Sequence, residues 1–349
     1  MSEKKPVVCV DAGIPYVDKR LEPWCEVRVL RSPEFTAAEV CDADALMIRT
    51  RTRCDAALLQ GSKVRFIATA TIGTDHIDLP WCHANGIEVA NAPGCNAPAV
   101  AQYVWATLLR LGYRARGLRL GVIGCGNVGS IVTAWGKALG AEVLVSDPPK
   151  REAELKSGGV YELMSGRVEY ASLEEIAGWC DVLTLHTPYT KTGRFATHHL
   201  VDDRIMDLMR PGALLINAAR GGVTDTDALV KVLREGKIRA AIDCWEGEPD
   251  INRELLELVD SATFHIAGYS RQGKQRATRM ALQALGKHFG FVPDTEGLEG
   301  EYRMPETLTE ERIMADFDPA PLTALLRERP EEFDVIRSEY RLREETNGN

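Results

Sequence analysis

The stretch Leu120-Gly121-Val122-Ile123-Gly124-Cys125-Gly126-Asn127-Val128-Gly129 joins a short apolar run to a glycine pattern, and the residues after it keep helical spacing to about Leu139. In a strand–turn–helix of this kind each glycine has its own steric task. Gly124 permits the tight turn, Gly126 lets the backbone approach a pyrophosphate, and Gly129 lets the helix pack closely on the strand. The pyrophosphate then meets free N–H groups around Asn127 and Val128, at the positive end of the helix dipole. Glycine-rich turns also arise for packing reasons alone, so the surroundings matter. Here a further strand follows and ends in Val145-Ser146-Asp147. Asp147 is placed to accept hydrogen bonds from ribose hydroxyls, and its charge repels a 2′-phosphate, which favours NAD over NADP.

Outward from this unit, apolar runs alternate with helical periodicity, the pattern of an α/β fold with a mostly parallel sheet. The strands on the C-terminal side are Leu120 to Ile123, Val143 to Ser146, Val182 to Leu185, Ala213 to Ile216, Ala240 to Ile242 and Ala262 to Phe264. An earlier set comprises Val7 to Val10, Ala45 to Ile48 and Phe66 to Ala68, followed by a long helix from about Ala97 to Leu111. Another helix is capped by Asp225 or Thr226 and ended by Gly236. His198 and His199 fit the first turn of a helix. The expected architecture is two doubly wound Rossmann-like domains with a cleft between them and a small C-terminal dimerisation segment. Residues 1–99, completed by 267–290, form the substrate-binding domain. Residues 100–266 form the NAD-binding domain, and 291–349 the C-terminal segment. That segment is rich in Glu and Arg, with Phe333, Ile336 and Tyr340 at helical spacing; it reads equally as a solvated helix pair or as a dimer contact.

The bulk composition narrows the function classes. A net charge of −9 argues against a nucleic-acid surface or a polybasic membrane patch. Nine cysteines, an odd number without CxxC or Cys/His spacing, argue against a disulfide framework or a metal site and for a reducing, cytoplasmic setting. The run after Met1-Ser2-Glu3-Lys4-Lys5 is too short for a signal-peptide core, and no apolar stretch has the length of a membrane span.

Three strand ends carry groups suited to chemistry: Arg220 in Asn217-Ala218-Ala219-Arg220-Gly221-Gly222, Glu248 in Asp243-Cys244-Trp245-Glu246-Gly247-Glu248-Pro249, and His265 in His265-Ile266-Ala267-Gly268-Tyr269. The carboxyl ends of neighbouring parallel strands face the ligand crevice of a doubly wound sheet, so the three can converge. Arg offers a planar, bidentate cation to a substrate carboxylate. Histidine can take a hydroxyl proton near neutrality while a hydride leaves the same carbon. A carboxylate behind it stabilises the imidazolium. Singly, each residue reads as well as a turn cation, a loop acid or a core histidine; together, downstream of the glycine turn, they do not. His186, which ends the strand Val182 to Leu185, is the rival base. It has no comparably placed Arg or carboxylate and is assigned to the cofactor side.

These motifs, with Thr69-Ala70-Thr71-Ile72-Gly73-Thr74-Asp75-His76, Ala92-Pro93-Gly94-Cys95-Asn96-Ala97 and Leu185-His186-Thr187-Pro188, resemble the D-isomer-specific 2-hydroxyacid dehydrogenase superfamily over about residues 5–290. Within it the resemblance is to the branch that oxidises erythronate 4-phosphate in pyridoxal 5′-phosphate biosynthesis. It implies that Arg220, Glu248 and His265 are active-site residues. It also implies that Asp147, Thr187, Asp243 and Gly268 contact NAD, and that Thr50, Thr71 and Tyr269 contact a small phosphorylated 2-hydroxy acid. A homodimer is implied as well. Position 50 is Thr where Ser is expected, and the C-terminal region is short for the family. Arg49, Arg51 and Arg53 alternate with threonines, so one face can attract a phosphate; the other reading is an exposed basic edge. Two alternatives remain. One is a dehydrogenase for another acid such as 3-phosphoglycerate. The other is an NAD-sensing, corepressor-like interaction protein.

Overall fold

In the computed structural model residues 4–157, 162–163 and 166–346 are described. The chain divides into two compact units, one comprising residues 1–96 and 270–302, the other 97–269 and 303–349. The stretch read from sequence as one C-terminal segment is therefore shared: 291–302 go with the first unit and the rest with the second.

The first unit is built on five parallel strands in the order Glu26–Leu30, Val7–Asp11, Ala45–Ile48, Phe66–Thr69, Glu88–Ala90. Successive residues of a strand face opposite ways, and here both faces are buried. Val7 and Cys9 enter one core, Val8 and Val10 the other. The second core takes the long helix Arg271–Phe289 through Ala277, Ala281, Leu282 and Leu285. The two outer strands, Glu26–Leu30 and Glu88–Ala90, are absent from the sequence reading. Both are edge strands with charged, partly exposed residues, so neither shows the continuous apolar run of a strand buried on both faces.

The second unit holds six parallel strands in the order Ser261–Ala262, Arg239–Ile242, Leu214–Asn217, Val182–Leu185, Arg119–Ile123, Glu142–Ser146. The first of these in the chain, Arg119–Ile123, lies between the second and third. The order reverses there, which is where such sheets open a crevice at their carboxyl edge. The helix Ala97–Arg110 is buried on nearly every side, packed between the helices Asn127–Leu139 and Glu310–Asp316.

Two expectations need correction. The last strand is only Ser261–Ala262, so Thr263 and Phe264 have already left the ladder when the chain reaches His265. His198 and His199 precede the next helix, Asp203–Leu208, whose cap is Asp202. His199 takes a left-handed turn at φ 49° and bonds Glu246 at 2.9 Å and Asp225 at 3.3 Å. Among the described residues no helix is long and apolar enough to cross a membrane.

The short strand Ser261–Ala262 is a sheet edge, and exposed edges invite pairing with other chains. The helix Ala320–Glu328 covers it. Thr323 Oγ1 accepts the Ala262 N–H at 3.0 Å, and Arg327 donates to the carbonyls of Leu256 and Val259 at 3.3 and 2.6 Å. Thr323→Val keeps the shape but leaves the buried Ala262 N–H without an acceptor. The expected cost is about 1–3 kcal/mol, read as a lower urea midpoint with unchanged slope; a midpoint equal to the parent's refutes this account of the edge.

Candidate active site

The glycine turn carries its steric logic in three distances. At Gly124, where φ is +86°, a Cβ would lie 2.7 Å from the His186 carbonyl oxygen; at Gly129 it would lie 1.9 Å from the Gly124 carbonyl oxygen. Both positions are closed to larger residues by the protein itself. At Gly126, the cap of the helix Asn127–Leu139, nothing lies within 4 Å of such a Cβ. That space is open on the side where Asn127 is exposed and Val128 partly exposed. Packing does not require glycine there, and the open space leaves room for the close approach of a ligand.

Beside this turn, at the point where strand order reverses, stand His186 and Thr187. The Thr187 hydroxyl and His186 Nδ1 are both buried without a hydrogen-bond partner, the kind of vacancy that a polar ligand completes. His186 Nε2 bonds Thr184 Oγ1 at 3.0 Å. The residue keeps some surface, but its ring is shielded and no carboxylate offsets the burial. Its pKa is pushed down to about 3. His186 is thus a neutral ring and a poor proton acceptor. Asp147, at the end of Glu142–Ser146, accepts the Cys125 N–H at 2.8 Å and the Lys150 N–H at 3.1 Å. It braces the glycine turn, and each of its oxygens retains acceptor capacity for a ribose hydroxyl. Burial pushes the Cys125 thiol up to about 11, which keeps it protonated and unreactive. An open glycine cradle, an orphaned hydroxyl and a carboxylate at the next strand end fit NAD.

The chemistry-bearing groups lie at the carboxyl ends of the next strands. His265 Nδ1 is 2.7 Å from Glu248 Oε2, and Glu248 Oε1 accepts the Trp245 N–H at 2.6 Å. A carboxylate only accepts, so Nδ1 carries the proton and Nε2 is left as the base. Burial by itself raises the Glu248 carboxyl. The hydrogen bond and charge of His265, the Trp245 N–H and the more distant Arg337 outweigh it and hold the group below its ordinary range. Glu248 therefore stays ionised at neutral pH, the state that stabilises an imidazolium. His265 itself has a positive φ of 57°, an unusual backbone for a non-glycine residue.

Asp243 explains how that backbone is held. Its side chain is fully buried; Oδ1 accepts the Thr263 hydroxyl at 2.7 Å and the Ile266 N–H at 2.8 Å, and Oδ2 accepts the Ala267 N–H at 3.0 Å. The expectation of an NAD contact thus falls on a side chain already bonded on both oxygens to the turn around His265. Gly268 lies in that turn, which the Tyr269 N–H closes onto the Ile266 carbonyl at 2.8 Å.

Arg220 follows the strand Leu214–Asn217. Asn217, which sequence reasoning missed, shapes its turn by accepting the Ala219 N–H at 3.1 Å and donating to the Arg220 carbonyl at 3.0 Å. A Cβ on Gly221 would lie 2.0 Å from the Trp245 carbonyl carbon. The Arg220 turn therefore rests directly on the backbone leading to Glu248. In the first unit Thr50 and Thr71 sit past the ends of adjacent strands. Thr50 is exposed, while the Thr71 hydroxyl is within 2.6 Å of Thr69 Oγ1 and donates to the Gly73 carbonyl at 3.1 Å. Of the three nearby arginines, Arg49 bonds the buried Asp11 at 3.2 Å and Arg53 bonds Asp55 at 2.7 Å, while Arg51 is exposed.

The fold and these groups define an NAD-dependent 2-hydroxyacid dehydrogenase. The D-isomer specific 2-hydroxyacid dehydrogenase, NAD binding domain, family matches residues 96–267. An erythronate-4-phosphate dehydrogenase of Bacteroides fragilis is 44% identical and aligns with 97% of each chain; one of Escherichia coli is 37% identical over 97% of this chain and 92% of its own. The solved D-lactate dehydrogenase of Aquifex aeolicus, complexed with NAD and lactic acid, is 29% identical with a TM-score of 0.68, covering 81% of this chain and 96% of that one. The chain belongs to the erythronate-4-phosphate dehydrogenase family. Its C-terminal region is not short beside the Bacteroides fragilis relative, which it matches almost end to end.

Two measurements follow from this geometry. Gly126→Ala should leave the urea midpoint close to the parent's and weaken NAD binding. Gly129→Ala should lose stability, by about 1–3 kcal/mol for a forced backbone shift; the reverse pattern would overturn the division of tasks. For His186, the folded ring resists protonation down to about pH 3, whereas the unfolded ring takes a proton below its ordinary 6.5. Between these values the unfolded chain binds more protons, so stability falls as pH drops through that window. In histidine-selective NMR the His186 ring should stay neutral from pH 8 to pH 4; a midpoint near 6 refutes the burial argument.

Proposed function

We propose that this enzyme oxidises erythronate 4-phosphate at C2 to 2-oxo-3-hydroxy-4-phosphobutanoate, as a step in pyridoxal 5′-phosphate biosynthesis. The observation that carries the chemistry is the 2.7 Å pair of His265 Nδ1 and Glu248 Oε2. When bound, NAD supplies the acceptor for the hydride that leaves C2. His265 Nε2 takes the proton of the C2 hydroxyl, and the ionised Glu248 stabilises the resulting imidazolium. Arg220 holds the substrate carboxylate through its planar fork, which orients C2. The glycine turn at Gly124, Gly126, Asn127, Val128 and Gly129 takes the pyrophosphate, Asp147 the ribose, and Thr187 and Gly268 the remaining polar edge of NAD. Asp243 fixes the turn that carries His265. Thr50, Thr71 and Tyr269 are the substrate contacts that the family resemblance implies.

The identity to erythronate-4-phosphate dehydrogenases over nearly the whole chain supports this substrate above 3-phosphoglycerate. The His265–Glu248 pair favours turnover above a sensing role, since binding alone requires no base. The reading includes a cytoplasmic homodimer: no disulfide forms among the described cysteines, which supports a reducing setting, and the family resemblance implies the dimer.

The purified chain should therefore show a higher kcat/KM for erythronate 4-phosphate than for 3-phosphoglycerate or lactate; a clear preference for 3-phosphoglycerate replaces the substrate reading. His265→Asn should lower kcat by about 10²–10⁴-fold with NAD affinity nearly unchanged. A larger loss from His186→Asn at saturating NAD would reassign the base.

A further inference from the structure

Arg337 has no place in the chemistry above, yet it stands beside it. It lies on the C-terminal helix Phe333–Ser338, whose Phe333 and Ile336 are buried in the second unit. Its guanidinium carbon is 5.5 Å from the centre of the Tyr269 ring, and its Nε is buried with no hydrogen-bond partner. Among the described residues no carboxylate comes within ion-pair distance of it. The acids whose charge it feels, Glu248 and Asp243, already have their donors in His265, Trp245, Thr263, Ile266 and Ala267.

Arg343, six residues on, shows what a satisfied arginine looks like here. It is 8% exposed; Nε donates to Gln102 Oε1 at 2.9 Å, and its terminal nitrogens donate to the carbonyls of Ile266 and Tyr269 at 3.0 Å, of Ala99 at 2.9 Å, and of Ala267. Every branch of that fork is used, to hold the C-terminal segment on the turn after His265 and on the helix Ala97–Arg110. Arg343 is a positioning residue. Arg337 is the cation which that clamp delivers to the site.

A half-buried cation without a counter-ion is unfavourable by itself and is compensated when an anion binds. The arginines near Thr50 offer less, because Arg49 and Arg53 already have carboxylate partners.

We propose that Arg337, carried by the C-terminal segment and seated against Tyr269, binds the terminal phosphate of the substrate and sets the preference for phosphorylated over unphosphorylated 2-hydroxy acids. The planar fork suits a phosphate dianion, and remote binding of this kind helps orient the reacting carbon. The inference rests on the substrate reading above for the identity of the acid, and on the geometry for the phosphate.

The test uses the full-length chain as wild type, Arg337→Gln and Arg337→Lys, with erythronate 4-phosphate and erythronate as substrates. The ratio of kcat/KM for the phosphorylated over the plain acid should fall on the order of 10²-fold in Arg337→Gln, the scale of losing one partner of a buried charge pair. Arg337→Lys, which keeps the charge and controls for folding, should recover part of it. An unchanged ratio overturns the proposal, whether both activities drop together or neither does. Independently of turnover, inorganic phosphate followed by ³¹P NMR should bind the NAD-loaded wild type at least about tenfold more tightly than Arg337→Gln; equal or no binding also overturns it. If the wild type prefers another phosphorylated acid, the substrate reading fails, and the same ratio taken with that acid still judges Arg337.

Discussion

The carboxylate of Asp243 is the interaction on which the turn around His265, and with it the candidate site of the second unit, depends. It is buried, ionised side chains are costly to bury, and it is compensated only because donors converge on it from one short stretch of chain. A chain of hydroxyls leads into it. Thr263 must donate to the carboxylate, so the buried Tyr103 hydroxyl, 2.8 Å from Thr263 Oγ1, must be the donor to Thr263. The other two donors are the backbone N–H groups of Ile266 and Ala267. The carboxylate thereby ties the central helix Ala97–Arg110 to the turn after His265. It holds that turn in a conformation that brings His265 onto Glu248.

With the turn held, burial sorts the two histidines of the sheet edge into different tasks. His186 and His265 both follow parallel strands, and both are partly enclosed. His186 finds only a threonine hydroxyl, so its ring stays neutral. His265 finds a carboxylate that remains ionised because the imidazole and a backbone N–H both favour its charge. The same residue type thus serves as an uncharged wall beside the glycine turn and, three strands further along, as an imidazole paired with a carboxylate. The difference lies in one neighbour, not in depth alone.

The C-terminal residues are part of this arrangement rather than an appendage to it. Thr323 caps the covered edge strand, the Phe317 ring lies tilted against Tyr103, and Arg343 holds the carbonyls of the turn after His265 whose N–H groups Asp243 holds. The turn is therefore gripped from both sides of its peptide planes, by an anion on the N–H groups and by a cation on the carbonyls. Tyr340 completes the contact with its ring against Phe264 and Tyr269.

Much of this was legible in one dimension. A glycine turn imposes steric conditions on its own neighbours, so Gly124, Gly126 and Gly129 announce a strand–turn–helix without any knowledge of the fold. Strands buried on both faces read as nearly continuous apolar runs, which marks Val182–Leu185, where only Thr184 is polar, and Ala213–Ile216. The edge strands Glu26–Leu30 and Glu88–Ala90 carry no such mark, since half their surface faces water. What tertiary structure alone decided is which distant groups meet. Gln102 and Arg343 are 241 residues apart and bond at 2.9 Å; Arg49 is claimed by Asp11, and Asp243 turns inward to a loop 23 residues ahead. Periodicity and turn chemistry encode the local backbone because their causes act within a few residues. The pairing of a buried charge with its donors depends on how whole elements pack, and no stretch of this sequence carries that by itself.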